Sequence, residues 1–301
     1  MKILILGTGY LGSEIAFSLS QNHSVTCIDH GNNFSEISSS LKNVKLIEGD
    51  IKDTTLIKNV SKDIDLICYC IETGGVIDCI EKPEHYKKIN VDDFKQLLKS
   101  ITNPNCSFLL LSSTFVYSDV EENFEDTLTD PKTIYGQLRL EQESILMQSN
   151  LSYTILRMSN IYGHQNFYMT KFDNVIDKFI ANIFHNHEIF LYGDGTQLVD
   201  FVHIDNFLNI FNQIINKKFK NEIYNISNEF RISISDIANN MKNIAKNQYN
   251  ISVLLKKQFT NDKLPNIPYV SSSKIQKNFL WKNSQNMNSK LKFMFETLKN
   301  S

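Results

Sequence analysis

G-T-G-Y-L-G, residues 7–12, follows the apolar run K-I-L-I-L (2–6) and opens onto the amphipathic stretch S-E-I-A-F-S-L-S. A strand, a tight glycine turn and a helix in that order bring a helix N-terminus to the phosphates of a dinucleotide. The glycines let the turn close and the backbone approach the pyrophosphate, while free N–H groups and the positive end of the helix dipole attract it. On this reading Gly7, Gly9, Tyr10, Leu11 and Gly12 contact the cofactor, and the chain begins a βαβ unit. The turn therefore sets the fold class: α/β, with a doubly wound parallel sheet.

Working outward from the turn, Asp29 ends the next strand in V-T-C-I-D, about twenty residues on, where a carboxylate accepts both ribose hydroxyls. A 2′-phosphate would face that carboxylate, and no arginine stands in residues 28–34 to neutralise it, so NAD is expected rather than NADP. A strand-end turn residue is the other reading of Asp29. Asp50 and Ile51, in E-G-D-I-K-D, are assigned to the adenine amino group and ring, with a solvated turn carboxylate as the alternative for Asp50.

Short β-branched runs alternate with amphipathic segments through the first half. Six parallel strands are expected, near Lys2–Leu6, Ser24–Asp29, Val44–Glu48, Leu66–Ile71, Phe108–Ser112 and Tyr153–Met158. Helices are expected over Tyr10–Gln21, Glu84–Lys99 and Ile134–Gln148. After Gly163 the alternation fades into mixed helices, an extended Ile189–Tyr192 and a polar tail ending in a helix near Met287–Leu298. The expected division places 1–163 plus about 198–228 in the dinucleotide-binding domain, and 164–197 with 229–301 in a smaller mixed α/β substrate domain.

Composition narrows the partners. The net charge of −2 gives no electrostatic reason to expect nucleic acid or an anionic membrane. No run approaches the ~20 apolar residues of a membrane span, and the N-terminal apolar run is too short for a signal sequence. Five scattered cysteines, Cys27, Cys68, Cys70, Cys79 and Cys106, lack metal-ligand spacing and read as buried free thiols, which points to the cytoplasm and to no metal.

At the end of the fifth strand the chain reads L-S-S-T-F-V-Y-S, and twenty-two residues after Ser113 comes Tyr135 in I-Y-G-Q-L-R-L-E-Q-E. Further segments are K-P-E-H-Y-K-K-I-N-V (82–91), I-L-R-M-S-N-I-Y-G (155–163), L-Y-G-D-G-T-Q-L-V-D-F-V-H-I-D-N (191–206), Y-N-I-S (224–227) and S-S-K-I-Q-K-N-F-L-W (272–281). In this order they resemble the extended short-chain dehydrogenase/reductases, specifically the NAD-dependent epimerase/dehydratase family acting on nucleotide-activated sugars. The resemblance implies a Rossmann-type sheet, hydride transfer between a sugar carbon and nicotinamide, and three catalytic residues. These are Tyr135 as acid or base, Ser113 hydrogen-bonded to the reacting oxygen, and a cation four residues beyond the tyrosine, which also touches the ribose. Thr114, Asn160 and His203 fall at substrate-facing positions, although a lone strand histidine such as His203 also reads as packing. Arg157 reads as an ion-pair partner at a strand end, and Asn90 as a brace beneath the site. The resemblance also implies a homodimer, with the helices Glu84–Lys99 and Ile134–Gln148 as candidates; the other reading is that their apolar faces serve only the sheet.

Three departures shape the expectation. The family's Tyr-x-x-x-Lys appears as Tyr135-Gly-Gln-Leu-Arg139, so a forked, permanently charged group replaces an amine; Arg139 either serves the tyrosine and ribose or reaches solvent. The acidic pair that 4,6-dehydratases carry directly after the serine is Thr114-Phe115, so the enzyme is read as an epimerase or dehydrogenase and not a 4,6-dehydratase. Arginines expected at the substrate diphosphate are Val199 and Leu264. Lys171, His164, His203 or Lys263 can take their place, or the substrate lacks a nucleotide. A non-catalytic NAD(H)-binding protein is the rival reading.

Overall fold

The computed structural model describes residues 1–30, 43–71, 74–120, 122–163, 174–217, 221–258, 265–281 and 286–299. Strand β1 (Lys2–Leu6) is buried completely from Ile3 to Leu6, as an apolar run at the centre of a parallel sheet should be. Its side chains alternate between two cores. Ile3 and Ile5 pack with α1 (Tyr10–Ser20) and the helix Ile204–Ile215 on one face; Leu4 and Leu6 pack with Ile57, Phe94, Leu97 and Leu146 on the other.

Around β1 stand β2 (Ser24–Asp29), β3 (Val44–Glu48), β4 (Leu66–Tyr69), β5 (Ser107–Ser113), β6 (Ser152–Met158) and, later in the chain, β10 (Glu222–Ile226). The order is β10-β6-β5-β4-β1-β2-β3, parallel throughout. The connection reverses direction at β1, which lies between β2 and β4, so the C-terminal ends of β1 and β4 flank the crevice where doubly wound sheets bind ligands.

Seven strands replace the six expected. The seventh, E-I-Y-N-I, lies at the sheet edge beside β6 and is only half buried, so it lacks the continuous apolar run that marks the others. The expected helix over Glu84–Lys99 divides into Pro83–Lys87, a wider π-helical turn at Lys88–Asp92 and Asp93–Ser100. At the wide turn the Asn90 amide donates to the Tyr86 carbonyl at 2.9 Å, a side chain competing for the helix's own acceptor. Two short helices, Thr54–Val60 and Val76–Glu81, also escape a periodicity reading.

Beyond the main sheet, β7 (Asn160–Tyr162), β9 (Leu198–His203) and β11 (Arg231–Ser233) form a small mixed sheet, and β8 (Glu188–Tyr192) pairs with β12 (Leu254–Gln258). Helices Val175–Asn186, Ile234–Tyr249 and Met287–Lys299 surround these strands and share a separate apolar core with Phe201, Ile183, Ile237 and Phe295. Among the described residues no helix is long and apolar enough to cross a membrane. All five cysteines are free, and burial raises the thiols of Cys27, Cys68, Cys70 and Cys106.

Asp200 joins the two sheets. Its Oδ2 accepts from Ser159 Oγ at 3.1 Å, Ser227 Oγ at 2.5 Å and the Asn228 N–H at 3.0 Å. Burial pushes its carboxyl up to about 6 despite those bonds. The native state therefore holds a proton between roughly pH 4 and 6 that the unfolded chain has lost, so this group's contribution to stability is full below that range and lost as pH rises through it. Lowering pH from 7 to 4 should favour the wild type over Asp200→Asn by up to about 3 kcal/mol, read from urea unfolding of both proteins. A difference that does not move with pH contradicts this.

Candidate active site

The glycine turn closes on itself. Gly7 adopts φ +89°, a conformation that favours glycine, and a Cβ on Gly12 would stand 1.9 Å from the Gly7 carbonyl oxygen. Both are needed for the turn to pack. Gly9 is different: it is exposed, and a Cβ there would meet nothing within 4 Å. The space over Gly9 is thus empty of protein at the N-terminus of α1, where a phosphate would approach. Asp29 is tied to the same turn, since its Oδ2 accepts from the Thr8 N–H and Thr8 Oγ1, both at 2.5 Å. Its other oxygen accepts from the His30 N–H at 2.6 Å and retains lone-pair capacity for a ribose hydroxyl. Tyr10 donates to the Gly163 carbonyl at 2.6 Å, stapling the turn to the end of β7, and Leu11 is half-buried beside it. These residues fit a bound dinucleotide.

The adenine assignments fit less well. Asp50 accepts from the Lys52 N–H at 2.9 Å, pairs with the Lys52 ammonium at 3.0 Å and faces His30, contacts that hold its carboxyl below the usual range against partial burial. Ile51 is 8% exposed and packs into the core with Leu4 and Leu6, leaving little surface for an adenine ring.

Because Gly9 meets no protein neighbour, Gly9→Ala should leave thermal stability within about 0.5 kcal/mol of wild type. The same methyl should weaken NAD binding at least roughly tenfold by calorimetry, a loss of ~1.4 kcal/mol. Unchanged NAD affinity would show that the space serves something else.

Ser113 ends β5, two strands along from Gly7 on the same C-terminal edge, so roughly 10 Å separates their strands. Its Oγ accepts from the Phe115 N–H at 3.3 Å, capping the short turn Thr114–Val116. The helix Ile134–Met147 carries Tyr135 and is pressed against this turn: a Cβ on Gly136 would lie 2.1 Å from the Phe115 carbonyl oxygen. Only glycine lets the helix come so close, and the Phe115 ring then meets Tyr135 edge-on at 5.9 Å. Gly136 is a site residue that the sequence reading missed; the Tyr-Gly step was its only trace.

Arg139 does not reach solvent. It is 3% exposed, its guanidinium carbon sits 5.2 Å from the centre of the Tyr135 ring, and Nη1 donates to Gln142 Oε1 at 3.0 Å. One turn on, Glu143 is buried completely and binds Arg157 of β6 through Nε and Nη2, the latter at 2.7 Å, while accepting from Ser112 Oγ at 2.5 Å. Arg157 is therefore an ion-pair partner, and it also donates to Tyr117 Oη at 2.6 Å. Tyr117 in turn donates to Asn225 Oδ1 at 3.0 Å, so the network spans β5, β6, β10 and the Tyr135 helix. Burial pushes the Tyr117 phenol up to about 12, with Arg157 opposing.

The expected substrate contacts divide. Asn160 is exposed at the start of β7. Thr114 is fully buried, behind the surface rather than on it. His203 is 4% exposed; its Nδ1 accepts from the Asp205 N–H at 3.2 Å as a helix cap, and its ring packs edge-on to Tyr162 beneath Gly163. His203 thus caps a helix and packs against Tyr162, while the buried Thr114 hydroxyl has no hydrogen-bond partner among the described residues. Val199 lies in the core of the smaller unit. The chain has three arginines: Arg139 and Arg157 are buried as above, and Arg231 pairs with Asp119 from the strand position opposite Asp200. Strand alternation puts that position on the opposite face from Val199, so none of the three stands in for the missing one. His164, Lys171, Lys263 and Leu264 lie outside the described residues.

The family described as "NAD dependent epimerase/dehydratase family" matches residues 3–227. The chain is 25% identical over 273 residues to a dTDP-D-glucose 4,6-dehydratase of Dictyostelium discoideum, covering 81% of this chain and 62% of that protein's length. It is 25% identical over 250 residues to a putative UDP-glucose 4-epimerase of Methanocaldococcus jannaschii, covering 79% of this chain and 80% of the relative. The crystal structure of the dTDP-glucose 4,6-dehydratase DesIV of Streptomyces venezuelae, with NAD and TYD bound, superposes with a TM-score of 0.85 at 17% identity, over 100% of this chain and 98% of that one. These likenesses overturn the exclusion of a 4,6-dehydratase, because dehydratases stand among the relatives and solved structures beside an epimerase. The exclusion rested on Thr114 and Phe115 alone, and an acid for elimination can come from another element facing the sugar. With this signature running through most of its length, over a seven-stranded parallel sheet, the protein belongs to the NAD-dependent epimerase/dehydratase family of extended short-chain dehydrogenase/reductases.

Proposed function

We propose that this protein is an NAD-dependent enzyme that oxidises or reduces a hydroxyl or ketone of a nucleotide-activated sugar, with Tyr135 moving the proton. The observation that carries the reading is the close seat of the Tyr135 helix on the Ser113 turn, at the strand edge that also carries the glycine turn. NAD, when bound, supplies the acceptor and donor for the hydrogen on the sugar carbon. The chain's own residues do the rest. Tyr135 Oη removes the proton from the sugar hydroxyl, or returns it to the carbonyl oxygen, and Ser113 Oγ donates a hydrogen bond to that oxygen. The Arg139 guanidinium beside the Tyr135 ring favours the charged form of the phenol. Asn160 contacts the substrate from the rim of the site.

Epimerisation and dehydration both begin with this oxidation, and relatives bear both names. Incubation of the NAD-loaded protein with UDP- and dTDP-glucose, with products resolved by NMR, tests the reading and separates the two outcomes. Absence of any product across a panel of nucleotide sugars, with NAD bound, would favour a non-catalytic NAD(H)-binding role.

We also infer a two-domain division at the boundaries given above, supported by the separate apolar cores. A cytoplasmic location is supported by the five free thiols. A homodimer through Glu84–Lys99 and Ile134–Gln148 is supported by the half-buried Leu98 and Ile145, which line a cleft of about 450 Å³ at the ends of these segments. Sedimentation at the mass of one chain would overturn the dimer.

A further inference from the structure

In the short turn that follows Ser113, Thr114 and Val116 are fully buried, and Phe115 between them is only half-buried. Three contacts fix it there. Its N–H donates to Ser113 Oγ at 3.3 Å, its carbonyl oxygen lies against Gly136, and its ring meets the Tyr135 ring edge-on at 5.9 Å. The same side chain packs against the apolar core of the smaller unit, the core that holds Tyr162, Ile176 and Phe201.

Phe115 therefore bridges the C-terminal strand edge of the main sheet and the smaller unit, beside both groups assigned to the reacting oxygen. Crevices outside the carboxyl ends of parallel strands are where doubly wound proteins hold their ligands. A benzyl side chain offers a bound sugar no donor and no acceptor. It offers apolar area and a ring with electron-rich faces, which suits C–H groups and repels negative charge. Most ring carbons of a hexose carry a hydroxyl, and the edge made by C5–H and the exocyclic carbon carries the fewest, so an apolar wall accommodates that edge at the least cost. A carboxylate on the exocyclic carbon would surrender its water to ring carbons that return no hydrogen bond.

We propose that Phe115 is a specificity-determining residue: its ring walls the sugar site beside Tyr135 and selects a nucleotide sugar with an uncharged exocyclic carbon over the corresponding uronate. This selection rests on the nucleotide-sugar reading above, and a neutral hexose serves epimerisation and dehydration alike.

Affinity is measured by calorimetry on the NAD-loaded full chain carrying Tyr135→Phe, so that binding is read without turnover and the ring beside Phe115 is kept. The probes are glucose and glucuronate, each as its UDP and dTDP derivative, with free UDP and dTDP as references. With Phe115 in place, the glucose derivative of the better-bound nucleotide should bind at least about tenfold more tightly than the glucuronate derivative. Phe115→Gln, which puts an amide donor at similar reach, should bring the two within about threefold and leave the free nucleotide's affinity within about twofold. Should that variant fail to fold, Phe115→Tyr adds a hydroxyl donor to the same ring and carries the same comparison. Equal affinities with Phe115 in place, a preference for glucuronate, or a preference that the substitution leaves unchanged would overturn the assignment while nucleotide-sugar binding stands. Failure of every probe to bind would instead refute the nucleotide-sugar reading, and this selection with it.

Discussion

Tyr135→Phe is expected to lower turnover by roughly two to four orders of magnitude, the usual worth of a positioned acid or base, while leaving NAD affinity and substrate KM nearly unchanged. The ring stays, so its edge contact with Phe115 and its stack with Arg139 survive, and the Gly136 seat is untouched. What is lost is the phenol oxygen proposed to exchange a proton with the sugar. The loss should appear in kcat and kcat/KM together, as for an interaction made in the transition state. A variant that turned over within about threefold of wild type would place the acid or base elsewhere.

Arg157→Ala should cost about 3–5 kcal/mol, because it leaves the completely buried Glu143 carboxylate without its cation. That is a large part of the ~5–15 kcal/mol typical of folded domains. The melting temperature should fall by roughly 5–15 °C. The pair should also show strong coupling: replacing both Glu143 and Arg157 with apolar residues of similar size should cost less than the two single changes added together. Equal and additive losses would mean that the ion pair is incidental. Since Glu143 also takes the Ser112 hydroxyl and shares a helix with Tyr135, the single variant should lose activity even where it folds.

Much of this was legible in the chain. The glycine turn, β1 and Asp29 are local features, and each stands where the sequence placed it, because strand, turn and helix N-terminus are set within thirty residues. Arg157 as an ion-pair partner was legible too. Its partner was not, since a glutamate eight residues beyond Tyr135 looks like any exposed helix carboxylate until the sheet covers it. Gln142, Glu143 and Arg139 all lie on the face that helical spacing turns inward, and polar residues on an apolar stripe were the available signal. β10 was hidden by its short, half-polar edge position, and the wide turn at Lys88–Asp92 by a side-chain competition that spacing cannot show. His203 and Thr114, which the resemblance placed facing the substrate, are both buried, a degree of burial that a motif match does not show.

The central claim is that Tyr135 drives NAD-dependent oxidation of a nucleotide sugar at this strand edge. Its most direct test is NADH absorbance after mixing the NAD-loaded protein with nucleotide sugars, wild type beside Tyr135→Phe. The account predicts a rise in the wild type with at least one sugar and none in the variant over the same time. Reduction at equal rates in both proteins, or in neither with any sugar of the panel, would contradict it.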